Sequence, residues 1–210
     1  MNFKNNEKDQ NNNNLNKINI IEKKENSIDK MITTEDIINY ISSNLLAIIQ
    51  KNKKMKKKPK KGPDEPFYSK FIPVLSIEKF LIRIVKYTEA ENNTLIVAYL
   101  YITKLLNKEK FILSLNNIYR LLLGSVVLAK KELEDLCYNN LYYCEIGGMT
   151  VQDLNSVEYS LFIRLNFDVN PKIEEVENIY NEIINSFPSS KINELQNNFE
   201  NIKIGKIKDK

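Results

Sequence analysis

Apolar and polar positions follow a helical period along most of this chain, and one block lacks the polar half. From Leu121 to Ala129 no residue is charged, so a helix there is apolar on every face and must be enclosed by other elements. The stretch Asn117 to Asp135, NIYRLLLGSVVLAKKELED, reads as a central helix capped by Ser114. Its C-terminal end emerges charged at Lys130, Lys131, Glu132, Glu134 and Asp135. Gly124 inside it costs roughly 1 kcal/mol of helix propensity and marks a close helix approach.

The flanking elements follow from the same periodicity. Residues 1–32 are rich in Asn, Lys and Glu and poor in periodic apolar positions, which predicts a disordered tail. Thr33 or Thr34 caps a helix over 33–50, with Glu35 and Asp36 at the positive end of its dipole and a stripe of Ile37, Ile41, Leu45 and Ile48. Residues 51–64 hold a lysine run closed by Gly62 and Pro63, and from Glu65 the composition becomes that of a folded region. Ser76 caps a helix with Ile77, Phe80, Leu81, Ile84 and Val85 on one side, and TLIVAYLYITKLL, from Thr94 to Leu106, forms the next. Past the central helix, a shorter one is expected from Leu136 to Ile146, stopped by Gly147 and Gly148. Thr150 and Asp153 make a capping pattern for a helix burying Leu154, Val157, Leu161, Phe162 and Leu165. Asn170 and Pro171 start a sixth, carrying Ile173, Val176, Tyr180 and Ile183 and ended by Pro188, and the stretch after it frays.

Composition narrows the chemistry. Five Gly and six Pro against eleven Tyr and nine Phe in 210 residues disfavour a sandwich or barrel and favour an all-α domain. The net charge of +4 comes from eight lysines between Lys51 and Lys61; without them 23 basic face 27 acidic side chains. The fold itself is therefore mildly acidic and carries no general nucleic-acid signature. Three readings of the run stay open: a solvated linker, a nuclear import signal, or a patch for nucleic acid or acidic partners. No aromatic side chain is interleaved to stack on bases, which weakens the nucleic-acid one. Histidine is absent, which removes the usual general base, imidazole ligand and His-activated nucleophile. Cys137 and Cys144, read as two turns apart on one helix face, are too distant for a disulfide and fit reduced intracellular thiols. No catalytic residues, metal site or cofactor is expected, and neither a membrane span nor a signal peptide is legible, so the chain reads as soluble and intracellular, in nucleus or cytoplasm.

Five helices of about a dozen residues around a buried third resemble the cyclin box. The residues sharpen the resemblance: Leu128-Ala129-Lys130-Lys131, then Asp135, Tyr138 and Asn140, the Gly147-Gly148 pair, and Leu154, Asn155, Glu158, Leu161, Leu165 and Phe167. Together they are similar to the P/U-type cyclins, over about Thr33 to Val169. The resemblance implies a single cyclin box over 65–169, with an extra N-terminal helix before it and short C-terminal helices in 170–210. It implies no catalysis of its own, no small-molecule substrate and one partner, a cyclin-dependent kinase. In that family a lysine ending the third box helix and a glutamate in the fifth face the kinase's regulatory helix, which by position are Lys131 and Glu158. The surrounding apolar contacts fall by alignment on Leu128, Phe162, Phe167 and Val169. From periodicity alone Lys131 and Glu158 are ordinary surface charges and Phe167 a core residue. Many cyclins carry a tryptophan on the first box helix that forms a substrate-docking groove; this chain has no Trp, so that function is not carried over. The reading from a different class is a helical scaffold or transcription adaptor of cyclin-like fold, which the lysine run supports.

Overall fold

The computed structural model describes residues 32–57, 65–108 and 111–191. The expected disordered tail up to 31, the end of the lysine run at 58–64 and the stretch from 192 onward lie outside the described residues. Thr34–Phe187 forms one compact unit. Among the described residues it holds seven α-helices and no strand: α1 (Thr34–Lys54), α2 (Ile77–Thr88), α3 (Asn92–Lys108), α4 (Ile118–Leu133), α5 (Asn140–Gly147), α6 (Val151–Arg164) and α7 (Ile173–Asn185). A single 3-10 turn, Glu65–Phe67, precedes α2.

The apolar block is the hub. α4 packs against α2, α3, α5, α6 and the 3-10 turn, most extensively against α3. Leu121, Leu122, Leu123, Val126, Val127 and Ala129 are all buried, as a helix with no polar face requires. Gly124 permits the contact with α6: a Cβ there would stand 2.3 Å from Val157 Cγ1. Arg120 fixes the same pair of helices further up, donating to both Asp153 oxygens (3.2 and 3.0 Å) and to the Pro66 carbonyl (3.3 Å).

α1 lies outside the hub. Its Ile37, Ile38, Ile41, Leu45 and Ile49 are buried, and it packs on α2, α3 and α7. The Tyr40 hydroxyl donates to Glu182 on α7 (2.6 Å), and the Thr34 hydroxyl donates to the Asn92 side chain on α3 (2.8 Å). α7 is joined to α3 by the Lys104–Glu175 ion pair (2.9 Å) and by the Tyr180 hydroxyl donating to Asn93 (2.8 Å). Burial pushes the Glu175 carboxyl up, yet the Lys104 ammonium outweighs it and the group titrates below its ordinary value.

Several boundaries differ from the sequence expectation, each for a local reason. α1 runs to Lys54, into the lysine run. Lysine is an adequate helix former, and Lys51, Lys53 and Lys54 sit at the favourable negative end of the dipole. The helix ends at Lys54, and Lys56, two residues on, lies in the left-handed region (φ 53°). Ser114 does not cap α4; the N-cap is Asn117. Asn117 is buried and turns its side chain back, accepting from Ser114 N–H (2.8 Å) and donating to the Ile112 carbonyl (2.9 Å). The short helix starts at Asn140, capped by the Asn139 side chain, not at Leu136, because Glu134 is already extended (φ −115°, ψ 136°). Ser76 and Thr150 do cap α2 and α6, accepting from Lys79 N–H (3.2 Å) and Asp153 N–H (3.1 Å). α7 begins at Ile173, past Asn170 and Pro171.

Candidate functional site

The C-terminal end of α4 splits into two adjacent lysines with opposite fates. Lys130 turns inward: its side chain is 4 % exposed and pairs with Glu134, one helical turn on. Glu134 also accepts from the Thr94 hydroxyl (2.6 Å) and the Glu91 N–H (3.2 Å). Burial raises the Glu134 pKa, but the hydrogen bonds from Lys130, Thr94 and Glu91 outweigh it and hold the carboxyl below its ordinary value. Lys130 was expected to emerge as a surface charge. The backbone turn after Leu133 instead returns a carboxylate to it, which satisfies a buried ammonium.

Lys131 turns outward and is held in a four-membered polar clamp. Its ammonium donates to Glu158 Oε1 on α6 (2.7 Å) and to Asn140 Oδ1 on α5 (2.9 Å). Asn140 Nδ2 in turn donates to Glu158 Oε2 (2.6 Å) and to Asn155 Oδ1 (2.7 Å). Three helices thus converge on one ammonium. Lys131 is 38 % exposed by its side chain while Glu158 is only 13 % exposed, so the carboxylate forms the base and the lysine the tip.

The apolar candidates surround this clamp unequally. Phe162 lies one turn beyond Glu158 on α6 and is half-buried, and Leu128, half-buried, lies one turn before Lys131 on α4. Phe167 is 64 % exposed, contrary to the core position that periodicity alone assigns. The chain leaves α6 through two successive left-handed residues, Asn166 (φ 57°) and Phe167 (φ 61°), and Phe167 N–H closes the turn on the Phe162 carbonyl (3.0 Å). This sets the Phe167 ring edge-on to Phe162, with ring centres 5.0 Å apart. Val169 is tied by its carbonyl, which accepts from the Tyr101 hydroxyl of α3 (2.5 Å).

Asn140 and Asn155 join the clamp although nothing in the sequence assigns them a role. A neutral amide carries no signal until its distances to charged partners are known. Tyr159 (67 % exposed) and Ile163 (40 %) on α6 extend the apolar surface; both sit off the buried stripe. The cysteines do not share a helix: Cys137 precedes α5 and is exposed, whereas Cys144 is buried within it, and both thiols are free. Burial pushes the Cys144 thiol up. Among the described residues no group of His, Cys, Asp and Glu could hold a metal ion, and no helix is long and apolar enough to cross a membrane.

A family model described as Cyclin matches residues 5–169. Cyclin-U1-1 of Arabidopsis thaliana is 40 % identical over 107 residues, covering 50 % of this chain and 50 % of that protein. Cyclin-U4-2 of the same plant is 33 % identical over 102 residues (48 % and 47 %). Cyclin-P4-1 of Oryza sativa subsp. japonica is 32 % identical over 99 residues (47 % and 47 %). The chain spans about half the length of the curated relatives it matches.

Proposed function

The chain belongs to the cyclin family, and we propose on that premise that it is a regulatory subunit that binds a cyclin-dependent protein kinase and holds it in its active arrangement. The observation that carries this is the clamp. An ammonium has three donors; Glu158 and Asn140 engage two on Lys131, leaving a third for a partner's backbone carbonyl. Because both anchors are fixed on separate helices, the lysine loses little further freedom on binding. Leu128, Phe162, Phe167 and Val169 supply the apolar surround, with the Phe167 ring as its anchor.

The chemistry belongs to the kinase, whose own Lys–Glu pair must be in place to position ATP. The subunit contributes only differential affinity for the active conformation. Moving such an equilibrium from 1:99 to 99:1 takes about 5.5 kcal/mol, which a few fixed polar anchors in an apolar face can supply. The test is a pull-down from native lysate with identification of the recovered kinase, followed by a phosphotransfer assay with purified components. Recovery and activation that are lost in Lys131→Ala and in Glu158→Ala are expected. Recovery of no kinase, combined with salt-sensitive nucleic-acid binding that disappears when Lys51 to Lys61 are neutralised, would favour the adaptor class instead.

A further inference from the structure

The described part of the lysine run is built onto the end of α1. Lys51, Lys53 and Lys54 belong to the last turn of the helix, and the chain then folds back over it. Lys56 N–H donates to the Lys53 carbonyl and Lys57 N–H to the Asn52 carbonyl, both at 3.0 Å, which is a Schellman closure. Its left-handed position is held by Lys56 (φ 53°) and not by glycine, which fills it without steric cost. Lys51, Lys53, Lys54, Lys56 and Lys57 are thereby grouped around one helix terminus. All five are exposed, and no ion pair among the described residues reaches their ammoniums. A second feature is independent of that charge. Between the 3-10 turn and α2 the chain projects Phe71, 85 % exposed, and Val74, 106 % exposed, with Tyr68 and Ile72 also exposed beside them. This loop is tied down: Ser69 N–H donates to the Asn116 carbonyl (2.7 Å), Asn116 Nδ2 returns to the Ser69 carbonyl (2.9 Å), and the Tyr119 hydroxyl donates to the Leu75 carbonyl (2.6 Å). The lysine end is fastened to the same turn, where Asn52 Nδ2 donates to the Leu113 carbonyl (3.0 Å). Leu113 and Asn116 are three residues apart, at most about 11 Å of chain, so the two features are anchored at one end of the unit. Leu115 between the anchors is itself exposed.

We propose that this end of the unit docks on the surface of an anionic lipid bilayer. The lysines lie against the charged headgroups, and Phe71, Ile72 and Val74 enter the interfacial layer. Firm peripheral attachment takes two signals, a polybasic patch and an apolar insertion, and both are present here. The exposures decide between occupants. Phe71 and Val74 touch almost nothing in their own chain, so they form a convex prong and not the wall of a groove. A fluid lipid interface accepts such a prong, whereas an acidic peptide needs a groove in which to bury its own apolar side chains. Nucleic acid answers the lysines but gives Ile72 and Val74 no apolar phase to enter. The 113–117 turn leads into α4, a helix of 16 residues and about 24 Å, whose other end carries Lys131. A partner on the Lys131–Glu158 face therefore leaves this end free, and either proposal can fail while the other stands.

The test is cosedimentation of the full chain with vesicles of phosphatidylcholine, alone or with about one-third phosphatidylserine. Binding is expected to the anionic vesicles and not to the neutral ones. Lys53→Gln, Lys54→Gln and Lys57→Gln are each expected to weaken partitioning about fivefold. Phe71→Ser combined with Val74→Ser should weaken it at least about tenfold while leaving the melting temperature unchanged, since neither side chain packs in the free chain. The sequence has no Trp, so Phe71→Trp supplies a lone reporter. Its emission should shift to the blue on the anionic vesicles and be quenched by spin-labelled lipid. Three results would each overturn the proposal: no binding to the anionic vesicles, full binding by the Phe71→Ser, Val74→Ser variant, or an unshifted emission from bound Phe71→Trp. So would tighter binding of a duplex oligonucleotide or a polyglutamate peptide that is lost in the same Phe71→Ser, Val74→Ser variant.

Discussion

Under the proposed function, removing either member of the Lys131–Glu158 pair should separate folding from partner binding, and the size of the separation follows from the geometry. In the free chain Lys131 is 38 % exposed by its side chain, so solvent screens the pair and its worth to stability is at most about 1 kcal/mol. The proposed complex would enclose the ammonium, and truncating one partner of an enclosed charged pair costs about 2–5 kcal/mol, or roughly 30-fold or more in affinity. Glu158 acts through Lys131, so its removal matters only while the lysine is present. A double-mutant cycle with Lys131→Ala and Glu158→Ala is therefore expected to be strongly non-additive in binding, with a coupling of at least about 1 kcal/mol, and nearly flat in stability. Isothermal titration against the recovered kinase and urea denaturation of the free subunit measure the two quantities. Additive binding losses, or stability losses as large as the binding losses, would refute the reasoning, because the clamp would then be a fold element.

The exposed ring gives a second separation. Phe167→Gly relieves a left-handed residue (φ 61°), a gain of about 1 kcal/mol, and loses the edge-on contact with Phe162, about 0.5–1.5 kcal/mol; stability should barely move while kinase affinity falls at least about tenfold. Gly124→Ala places a Cβ 2.3 Å from Val157 Cγ1 and should cost about 1–3 kcal/mol of overpacking, partly offset by helix propensity; Val157→Ala in the same chain should recover part of the loss, seen as a raised denaturation midpoint relative to additivity. Stability should also fall at both pH extremes. The carboxyls of Glu134, Asp153 and Glu175 titrate below their ordinary values because their hydrogen bonds and basic partners outweigh burial. They therefore stabilise the fold above about pH 4 and lose that contribution as pH falls through their folded values. Burial pushes Tyr99 and Tyr143 up to about 12, so their contribution is full below about pH 10 and is lost as pH rises toward 12. The tyrosinate absorbance belonging to these two residues, taken as the difference from Tyr99→Phe and Tyr143→Phe variants, should appear with the alkaline unfolding transition.

The fold was largely legible because its main constraint is periodicity. A block with no charge from Leu121 to Ala129 can only be interior, and it is; around it stand α3, buried at every position from Leu95 to Ile102, and more one-sided helices such as α2 and α6. What escaped the sequence was decided by tertiary partners. Whether Lys130 or Lys131 is the outward residue cannot be read from two adjacent identical side chains; it depends on Glu134 returning to the helix end and on Asn140 and Glu158 arriving from α5 and α6. Boundaries failed for a related reason. Ser114 and Asn117 are both good caps, and the choice of Asn117 follows from its bonds to Ser114 and Ile112 across a turn. The exposure of Phe167 is a conformational event: two left-handed residues in succession reverse the side that periodicity would assign.

That reversal has a thermodynamic implication for how the face came to be arranged. A phenylalanine held at positive φ and left 64 % exposed gains neither the backbone preference nor the burial that usually hold an aromatic side chain in place, and the ring contact with Phe162 only about offsets the backbone cost. Lys131 is similar in kind, since a half-exposed ion pair adds little to folding, yet three helices are committed to fixing it. Under the proposed function, features that do so little for the free chain, and that cluster at the joined ends of α4, α5 and α6, gain their full worth when a second surface excludes water from them. The neighbouring Lys130 shows the contrast: its charge is enclosed and satisfied within the chain, so its replacement should unfold the protein, whereas replacement of Lys131 should only disarm it.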